Sequence, residues 1–204
     1  MMRRGETVIL AAGDFPRRGG EAWRLLEGAR RVVACDSAAD AYRRRFGRWP
    51  TAAVGDMNSA KAAIAASSGC RVVRMPGQDD NDLSKAAAYC RERAWRDPVV
   101  LGACGRREDH ATGNVFRALD LGLEIVTDRG RFVPVRGRRT FRVRPGSAVS
   151  VFAPDPATKM TSRGLEWPLD GVRFANLYCA TLNRATASRV TLYADRPVSV
   201  YIAH

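Results

Sequence analysis

The chain has 204 residues, of which 46% are hydrophobic and 27% are charged, as in an ordinary folded protein. Its formal net charge of +13 is high and by itself favours a nucleic-acid or anionic-lipid partner. The apolar run near the N-terminus is only about five residues long, too short for a signal peptide or a membrane span. We therefore expect no membrane partner.

The positive charge has a simpler explanation in the composition. Only Lys61, Lys85 and Lys159 are lysines, and the other 31 of the 34 basic residues are arginines scattered along the chain. This pattern is typical of a coding bias towards GC-rich codons. A basic nucleic-acid-binding protein is the alternative, but an aromatic content of 8% without basic–aromatic interleaving argues against it. We expect no nucleic-acid partner.

The five cysteines include no C-x-x-C pair, and the two histidines lie far apart. The spacing of these cysteines and histidines matches no zinc-binding motif. Reduced thiols in a cytoplasmic protein are the expected state.

Strands and helices alternate through the first 130 residues. Short β-branched runs bounded by Gly, Pro and Asp predict strands, and apolar residues at helical spacing predict helices. The predicted strands are 7–12, 31–35, 52–54, 71–75, 98–101 and 124–127, and the predicted helices are 22–29, 38–46, one beginning after Ser59, 83–96 and one from Asp109 to Leu121. This alternation is typical of βαβ units and a parallel sheet.

The chain from residue 131 onwards has a different pattern. Apolar and polar residues alternate over 140–143, 148–152, 189–193 and 198–202, and Pro and Gly turns separate these segments. No helical period is present, so we predict a second, antiparallel β domain over residues 131–204 after an α/β domain over residues 1–130.

The stretch Leu101–Asn114, LGACGRREDHATGN, follows a buried strand and opens a helix. Glycine turns at helix N-termini bind anions, because free N–H groups and the helix dipole point at the ligand. Two arginines, a glutamate, an aspartate and a histidine lie in this turn. The sequence therefore predicts a polyanion site here.

Carboxylates follow five of the predicted strands, and the ends of parallel strands meet at one edge of a sheet. They are Asp14, Asp36, Asp56, the 79–82 cluster and Asp109. Gathered carboxylates favour a cation between them, and oxygen ligands favour Mg²⁺. Arg107, whose guanidinium can bind two phosphate oxygens at once, and Lys85 lie near this set. Together these residues predict Mg²⁺-dependent phosphoryl-type transfer. For any one aspartate, helix capping is an equally good explanation.

Three motifs follow one another along the chain: Gly55-Asp56-Met57-Asn58-Ser59, Gln78-Asp79-Asp80-Asn81-Asp82-Leu83-Ser84-Lys85, and Gly102-Ala103-Cys104-Gly105-Arg106-Arg107-Glu108-Asp109-His110 with Asn114. In this order they resemble the motifs of the thiamine pyrophosphokinase family. Gly164–Leu169 and Thr181-Leu182-Asn183 are similar to later motifs of the family. The resemblance covers nearly the whole chain.

The resemblance implies a Rossmann-like α/β nucleotide-binding domain followed by an antiparallel β-sandwich, in a homodimer with sites at the subunit interface. It implies Mg²⁺-dependent transfer of pyrophosphate from ATP to thiamine, leaving AMP. The implied catalytic residues are Asp36, Asp56, Asp82 and Asp109; those for metal are Asp56, Asn58 and Asp82; those for ATP are Gly13, Lys85, Gly102, Gly105, Arg107 and Asp128; those for thiamine are Gln78, Trp167, Thr181 and Asn183.

The sequence also departs from the family pattern. Asn58 stands where a second aspartate is usual, and Leu182 stands where a serine precedes the final Asn183. The first change removes one charge from the expected metal site, which Asp79 or Asp80 could replace. The second leaves open the same chemistry on an acceptor other than thiamine. Trp167 and Asn183 also have ordinary explanations, as a core residue and a turn residue.

Overall fold

The structure is a computed structural model that describes residues 6–55, 69–75 and 81–204. Its contacts divide the chain into two compact units, Met1–Asp128 (unit 1) and Arg129–His204 (unit 2). Among the residues described, no helix is both long and apolar enough to cross a bilayer.

The described residues of unit 1 form six strands of a parallel sheet. Its strands are β1 (Thr7–Leu10), β2 (Arg31–Cys35), β3 (Ala52–Gly55), β4 (Arg71–Arg74), β5 (Val99–Leu101) and β6 (Glu124–Val126). The strands lie in the order β6-β5-β1-β2-β3-β4, and every neighbouring pair is parallel. Strands β1 and β5 are at the centre and fully buried, which explains why their sequences are continuously apolar rather than alternating.

Four helices of unit 1 are described: α1 (Glu21–Glu27), α2 (Ala38–Phe46), α3 (Asp82–Glu92) and α4 (Glu108–Leu121). Apolar faces of α1 and α2, including Leu26 and Tyr42, pack with sheet residues in one core. The predicted helix after Ser59 lies outside the described residues. Helix α3 ends earlier than predicted, because Ala94 has a left-handed φ of 53° and the N–H of Trp95 donates to the Cys90 carbonyl.

Unit 2 is built from antiparallel strands and has no helix; all of its residues are described. Its strands are β7 (Gly130–Arg142), β8 (Ala148–Phe152), β9 (Met160–Arg163), β10 (Ala180–Arg184) and β11 (Arg189–Ala203). Strand β11 pairs with β7 along its whole length. It also pairs with β8 near its end and with β9 near its beginning.

The register of β7 and β11 shifts between Ala194 and Val198. The bulge divides the pair into two arms: residues 189–194 lie between β7 and β9, and residues 198–203 lie between β7 and β8. A bulge bends a strand pair in this way. The inward side chains of both arms join one apolar core that includes Val190, Leu192 and Val200.

The predicted order, a parallel α/β part followed by antiparallel strands, is confirmed. The segments 189–193 and 198–202, predicted as separate strands, belong to the single long strand β11. The predicted strand 140–143 is the end of the long strand β7, which stops at Arg142. Strands β9 and β10 were not predicted, because their short sequences alternate too few times to show a period.

Candidate active site

Two loops meet at the carboxyl edge of the parallel sheet, one after β1 and one after β5. The N–H of Gly13 donates to the Gly102 carbonyl at 2.7 Å, and the N–H of Asp14 donates to the Cys104 carbonyl at 2.8 Å. A Cβ on Gly13 would overlap both of those carbonyls, and one on Gly102 would lie 2.6 Å from the Ala11 carbonyl oxygen. Glycine therefore allows the two loops to touch.

Gly105 serves the same junction. Its φ is 80°, and a Cβ at this position would overlap the carboxylate of Asp14. The guanidinium of Arg106, the next residue, donates to the Ala12 carbonyl at 3.1 Å. All three glycines that the sequence assigned to ATP binding thus hold this pair of loops together.

Helix α3 begins at the same edge of the sheet. The Asn81 side chain accepts the Ser84 N–H at 3.0 Å and caps the helix. Asn114, on α4, donates to the Ala103 carbonyl at 2.9 Å and accepts from the Asn81 amide at 3.4 Å. Asn114 therefore ties the beginning of α3 to the loop after β5.

These loops and helix ends enclose a cleft of about 640 Å³. Its lining residues include Ala11, Ala12, Gly13, Cys35, Asn81, Asp82, Lys85, Gly105, Arg106, Arg107, His110 and Asn114. Among its described lining residues, the cleft presents the cations of Lys85, Arg106 and Arg107 and the carboxylate of Asp82, and the N-termini of α3 and α4 add positive dipole ends. Such a site suits an anion with several charged oxygens.

Lys85 and Asp82 form the polar pair on the α3 side of the cleft. The Lys85 Nζ lies 3.5 Å from an Asp82 carboxylate oxygen, as their spacing on one helical face predicts. The lysine side chain is 11% exposed and that of Asp82 is 42% exposed. Asp82 therefore keeps oxygen atoms open to the cleft.

Arg107 lines the cleft, and its guanidinium forms a two-point pair with Asp109. Nε lies 3.1 Å from Oδ1 and Nη2 lies 2.6 Å from Oδ2. The hydrogen bonds from Arg107, together with the backbone N–H of His110, lower the pKa of Asp109 to about 2. The same bonds and the charge of Asp109 raise the pKa of Arg107. Asp109 itself is not among the lining residues; it orients the arginine.

Asp36 follows β2 with a left-handed φ of 40° and packs against Gly55, where β3 ends. It is not among the residues that line the cleft, although the preceding residue, Cys35, is. The Cys35 thiol donates to the Asp82 carbonyl at 3.5 Å. Burial, together with nearby Asp82, raises the pKa of this thiol far above its usual value, so it stays protonated.

Asp128 has a different environment from the one its assignment to ATP implied. Both of its carboxylate oxygens accept the backbone N–H of Arg17 at 3.1 Å. A Cβ on Gly20 would lie 3.2 Å from the same carboxylate. Asp128 therefore fixes the loop between β1 and α1, and it does not line the cleft.

In unit 2, three residues assigned to thiamine come together around a pocket of about 310 Å³. Trp167, Thr181 and Asn183 line it, together with Leu182 and Cys179. The buried Asn183 accepts the Trp167 N–H at 3.2 Å and donates to the Trp167 carbonyl at 2.7 Å. This pair of bonds fixes the backbone of Trp167, and the residue as a whole remains 55% exposed.

Leu182 has an unusual position in the same pocket. Its φ is 64° and its side chain is 85% exposed, both of which are unfavourable for a leucine. The pocket consequently has an apolar rim at the position that departs from the family pattern.

Five residues of the predicted site, Asp56, Asn58, Gln78, Asp79 and Asp80, lie outside the described residues. Within the described ranges, no three His, Cys, Asp or Glu side chains cluster as a metal site. Of the predicted metal ligands, only Asp82 can be placed, and it faces the cleft.

The sequence assigned no individual role in the site to three of the residues that line the cleft: Arg106, Asn81 and Asn114. Arg106 has a φ of 60°, which turns its side chain back over the β1 loop. The sequence signal was its place between Gly105 and the helix. For the asparagines, the signal was the capping position of Asn81 and the i, i+4 spacing of His110 and Asn114.

A parallel α/β sheet with a glycine-closed, cation-lined cleft at its carboxyl edge is the arrangement in which proteins of the α/β class bind phosphate-bearing ligands. Residues 22–126 match the thiamin pyrophosphokinase catalytic domain, and residues 130–201 match the thiamin pyrophosphokinase substrate-binding domain. The chain therefore belongs to the thiamin pyrophosphokinase family of enzymes.

Individual proteins that are similar to this chain are consistent with this family. Thiamin pyrophosphokinase 1 of Caenorhabditis elegans is 35% identical over 94 residues, which span 42% of this chain and 38% of that protein. A family protein from Enterococcus faecalis has the same fold, with a TM-score of 0.78 at 14% identity over 97% of each chain. The thiamin pyrophosphokinase of Geobacillus thermodenitrificans gives 0.72 at 22% identity, over 97% of this chain and 96% of that one.

Proposed function

We propose that the protein transfers pyrophosphate from ATP to the hydroxyl of thiamine, giving thiamine diphosphate and AMP. The cleft at the carboxyl edge of unit 1 carries this proposal. Its volume can accommodate a nucleoside triphosphate, and Lys85, Arg106 and Arg107 supply three cations along it. Membership of the family supports thiamine as the acceptor.

We assign ATP binding and catalysis to residues 1–130 and thiamine binding to residues 131–204, with the two arms of the β7–β11 pair as the layers of a β-sandwich. The pocket formed by Trp167, Thr181 and Asn183 supports the second assignment. An exposed indole beside an apolar rim suits a flat aromatic cation. We also propose that the protein is a homodimer and that it is located in the cytoplasm.

The residues of the cleft fit a magnesium ion. Mg²⁺ uses one or two carboxylates, waters and substrate phosphates, and the open carboxylate of Asp82 meets that need. Asp82 would hold the ion with Asp56 and Asn58, which lie outside the described residues. When bound, the ion neutralises phosphate charge.

The remaining chemistry belongs to the side chains. The thiamine hydroxyl oxygen bonds to the β-phosphorus, the bond from that phosphorus to the α–β bridging oxygen breaks, and AMP leaves with this oxygen. Lys85, Arg106 and Arg107 stabilise the charge that moves onto AMP. The hydroxyl proton passes to a carboxylate.

Asp36 and Asp56 are the candidate bases. Asp109 is a poor one, because its low pKa of about 2 makes it weakly basic. We therefore assign Asp109 to holding Arg107 in place by their two-point pair.

The test is incubation of the protein with ATP, Mg²⁺ and thiamine, followed by separation of the nucleotides. AMP together with thiamine diphosphate is expected. ADP as the product would refute pyrophosphoryl transfer, and AMP formation only with another alcohol would move the proposal to that acceptor.

Replacing Asp82 by Ala should lower the turnover rate by about 10²–10³-fold, as for other lost electrostatic stabilisers. Asp120→Ala is the matched control, since Asp120 lies on α4, is 68% exposed and does not line the cleft. Near-normal turnover by the Asp82 variant would contradict the assigned role.

A further inference from the structure

Unit 2 has a second cavity, of about 340 Å³, on the surface of strands β7, β11 and β9. Its lining residues are Arg138, Thr161, Ser162, Arg163, Thr191 and Tyr193. None of them lines the Trp167 pocket or the cleft of unit 1. The chemistry assigned so far uses none of these side chains.

Strand alternation determines which side chains face this surface. Phe141, Val190, Leu192 and Met160 are buried in the core, so their strand neighbours point outwards. The outward positions are Arg138, Thr140 and Arg142 on β7, Arg189, Thr191 and Tyr193 on β11, and Thr161 and Arg163 on β9. Four of these eight are arginines, three are threonines, and none is acidic.

The register sets Arg138 and Arg163 on opposite sides of β11. Arg138 pairs with Tyr193, and Arg163 pairs with Thr191. Two strand spacings, together with an offset of two residues along β11, separate their backbones by about 12 Å. Both arginine side chains are long enough to converge on a ligand lying over β11.

Neither guanidinium forms an ion pair with any of the residues that the structure describes. Asp170 accepts the Ser162 N–H at 3.2 Å but does not line the cavity. The hydroxyl groups of Thr140 and Thr191 bond to each other at 2.9 Å. Considering only the residues that the structure describes, the two positive charges of the cavity have no opposite charge paired with them, and they lie beside hydroxyl groups.

We propose that this cavity binds a small phosphate-bearing anion. Two guanidinium forks and the neighbouring hydroxyls offer more donors than the two oxygens of one carboxylate can accept. Phosphate and pyrophosphate groups have the oxygen atoms to use them. The cavity volume leaves room for a group larger than a single phosphate. This inference does not depend on the proposed activity.

The experiment uses the full chain labelled with ¹⁵N and titrated with inorganic pyrophosphate at low ionic strength, where surface charges are least screened. The amide signals of Thr161, Thr191 and Tyr193 report binding at this cavity, independently of any binding in the cleft. They should shift and saturate at millimolar pyrophosphate or below.

Arg138→Gln with Arg163→Gln should weaken the affinity at these signals by about 10-fold or more per arginine, as expected for lost charge-assisted bonds. Arg142→Gln with Arg189→Gln is the matched control. It removes the same charge from the same strand face but leaves the cavity lining unchanged, and its affinity should stay within about 3-fold of the wild type.

Three results would overturn the proposal: signals that do not move, equal weakening by the control pair, or unchanged affinity in the Arg138 and Arg163 variant. Equal affinity for citrate, which carries carboxylates and no phosphate, would refute the phosphate class. The altered side chains are exposed, so a well-dispersed spectrum of each variant checks that its fold is intact.

Discussion

The junction between the loops after β1 and β5 makes a quantitative prediction about three glycines. Replacing Gly102 by Ala adds two penalties: a left-handed φ of 65° and a Cβ lying 2.6 Å from the Ala11 carbonyl oxygen. The first costs roughly 1–2 kcal/mol. The second forces the backbones apart and weakens bonds such as Gly13 N–H to Gly102 carbonyl, at about 1 kcal/mol each.

The three positions separate these penalties. Gly122 ends α4 with a φ of 68° and has nothing within 4 Å of its Cβ position, so Gly122→Ala carries only the φ penalty. Gly13→Ala carries only the overlap. We expect losses of about 1–2 kcal/mol for Gly122, about 2 for Gly13 and about 3–4 for Gly102.

Urea unfolding followed by tryptophan fluorescence measures these losses, because Trp23, Trp49 and Trp95 all lie in unit 1. AMP formation should fall in the Gly13 and Gly102 variants, whose loops border the cleft, and persist in Gly122→Ala. If Gly102→Ala costs no more than Gly122→Ala, the close approach of the two loops is wrong.

Two further predictions concern single side chains. The pKa of Asp109 is lowered from 3.8 to about 2 by Arg107, so the stabilisation from this pair is complete above about pH 4 and is lost as the pH falls towards 2. A carboxyl NMR titration should show that midpoint and its return towards 3.8 in Arg107→Gln; an unchanged midpoint would exclude the pair in solution. Asn183→Ala removes the hydrogen bonds to both backbone groups of Trp167 and to the Arg184 N–H. This change should lower the free energy of unfolding by about 2–3 kcal/mol, and it should raise the KM for thiamine more than the KM for ATP. The control is Asn176→Ala, which removes one hydrogen bond from an exposed side chain and should lower the free energy of unfolding by less than about 1 kcal/mol. Similar losses of stability in the two variants would contradict the role of Asn183.

The sequence predicted those parts of the fold that local patterns determine. Strand β2 and helix α2 have the predicted bounds, because a β-branched run and an apolar helical face each end at a clear break. The continuity of β11 was not predictable, because the polar segment Asp195–Pro197 interrupts its alternation. Only pairing with β7, some 60 residues earlier in the chain, shows that this segment is a bulge within one strand.

The site was predictable to a similar degree. The topology brings Gly13, Asp82, Lys85 and Arg107 to one edge of the sheet, as expected for loops after parallel strands. Side-chain partners depend on angles that sequence does not specify. The pairing of Arg107 with Asp109 and the bonds of Asp128 to the Arg17 backbone are of this kind.

The central place of β11 in unit 2 has a consequence for the order in which the chain folds. In unit 1, β1, β2 and β3 each pair with the next strand along the chain, so this part of the sheet can grow as the polypeptide is synthesised. Strands β7, β8 and β9 all pair with β11, which is made after them. Strand β8 can pair with β10 before that, but in each of the three strands the edge that β11 covers stays open to chaperones or to other chains until β11 leaves the ribosome.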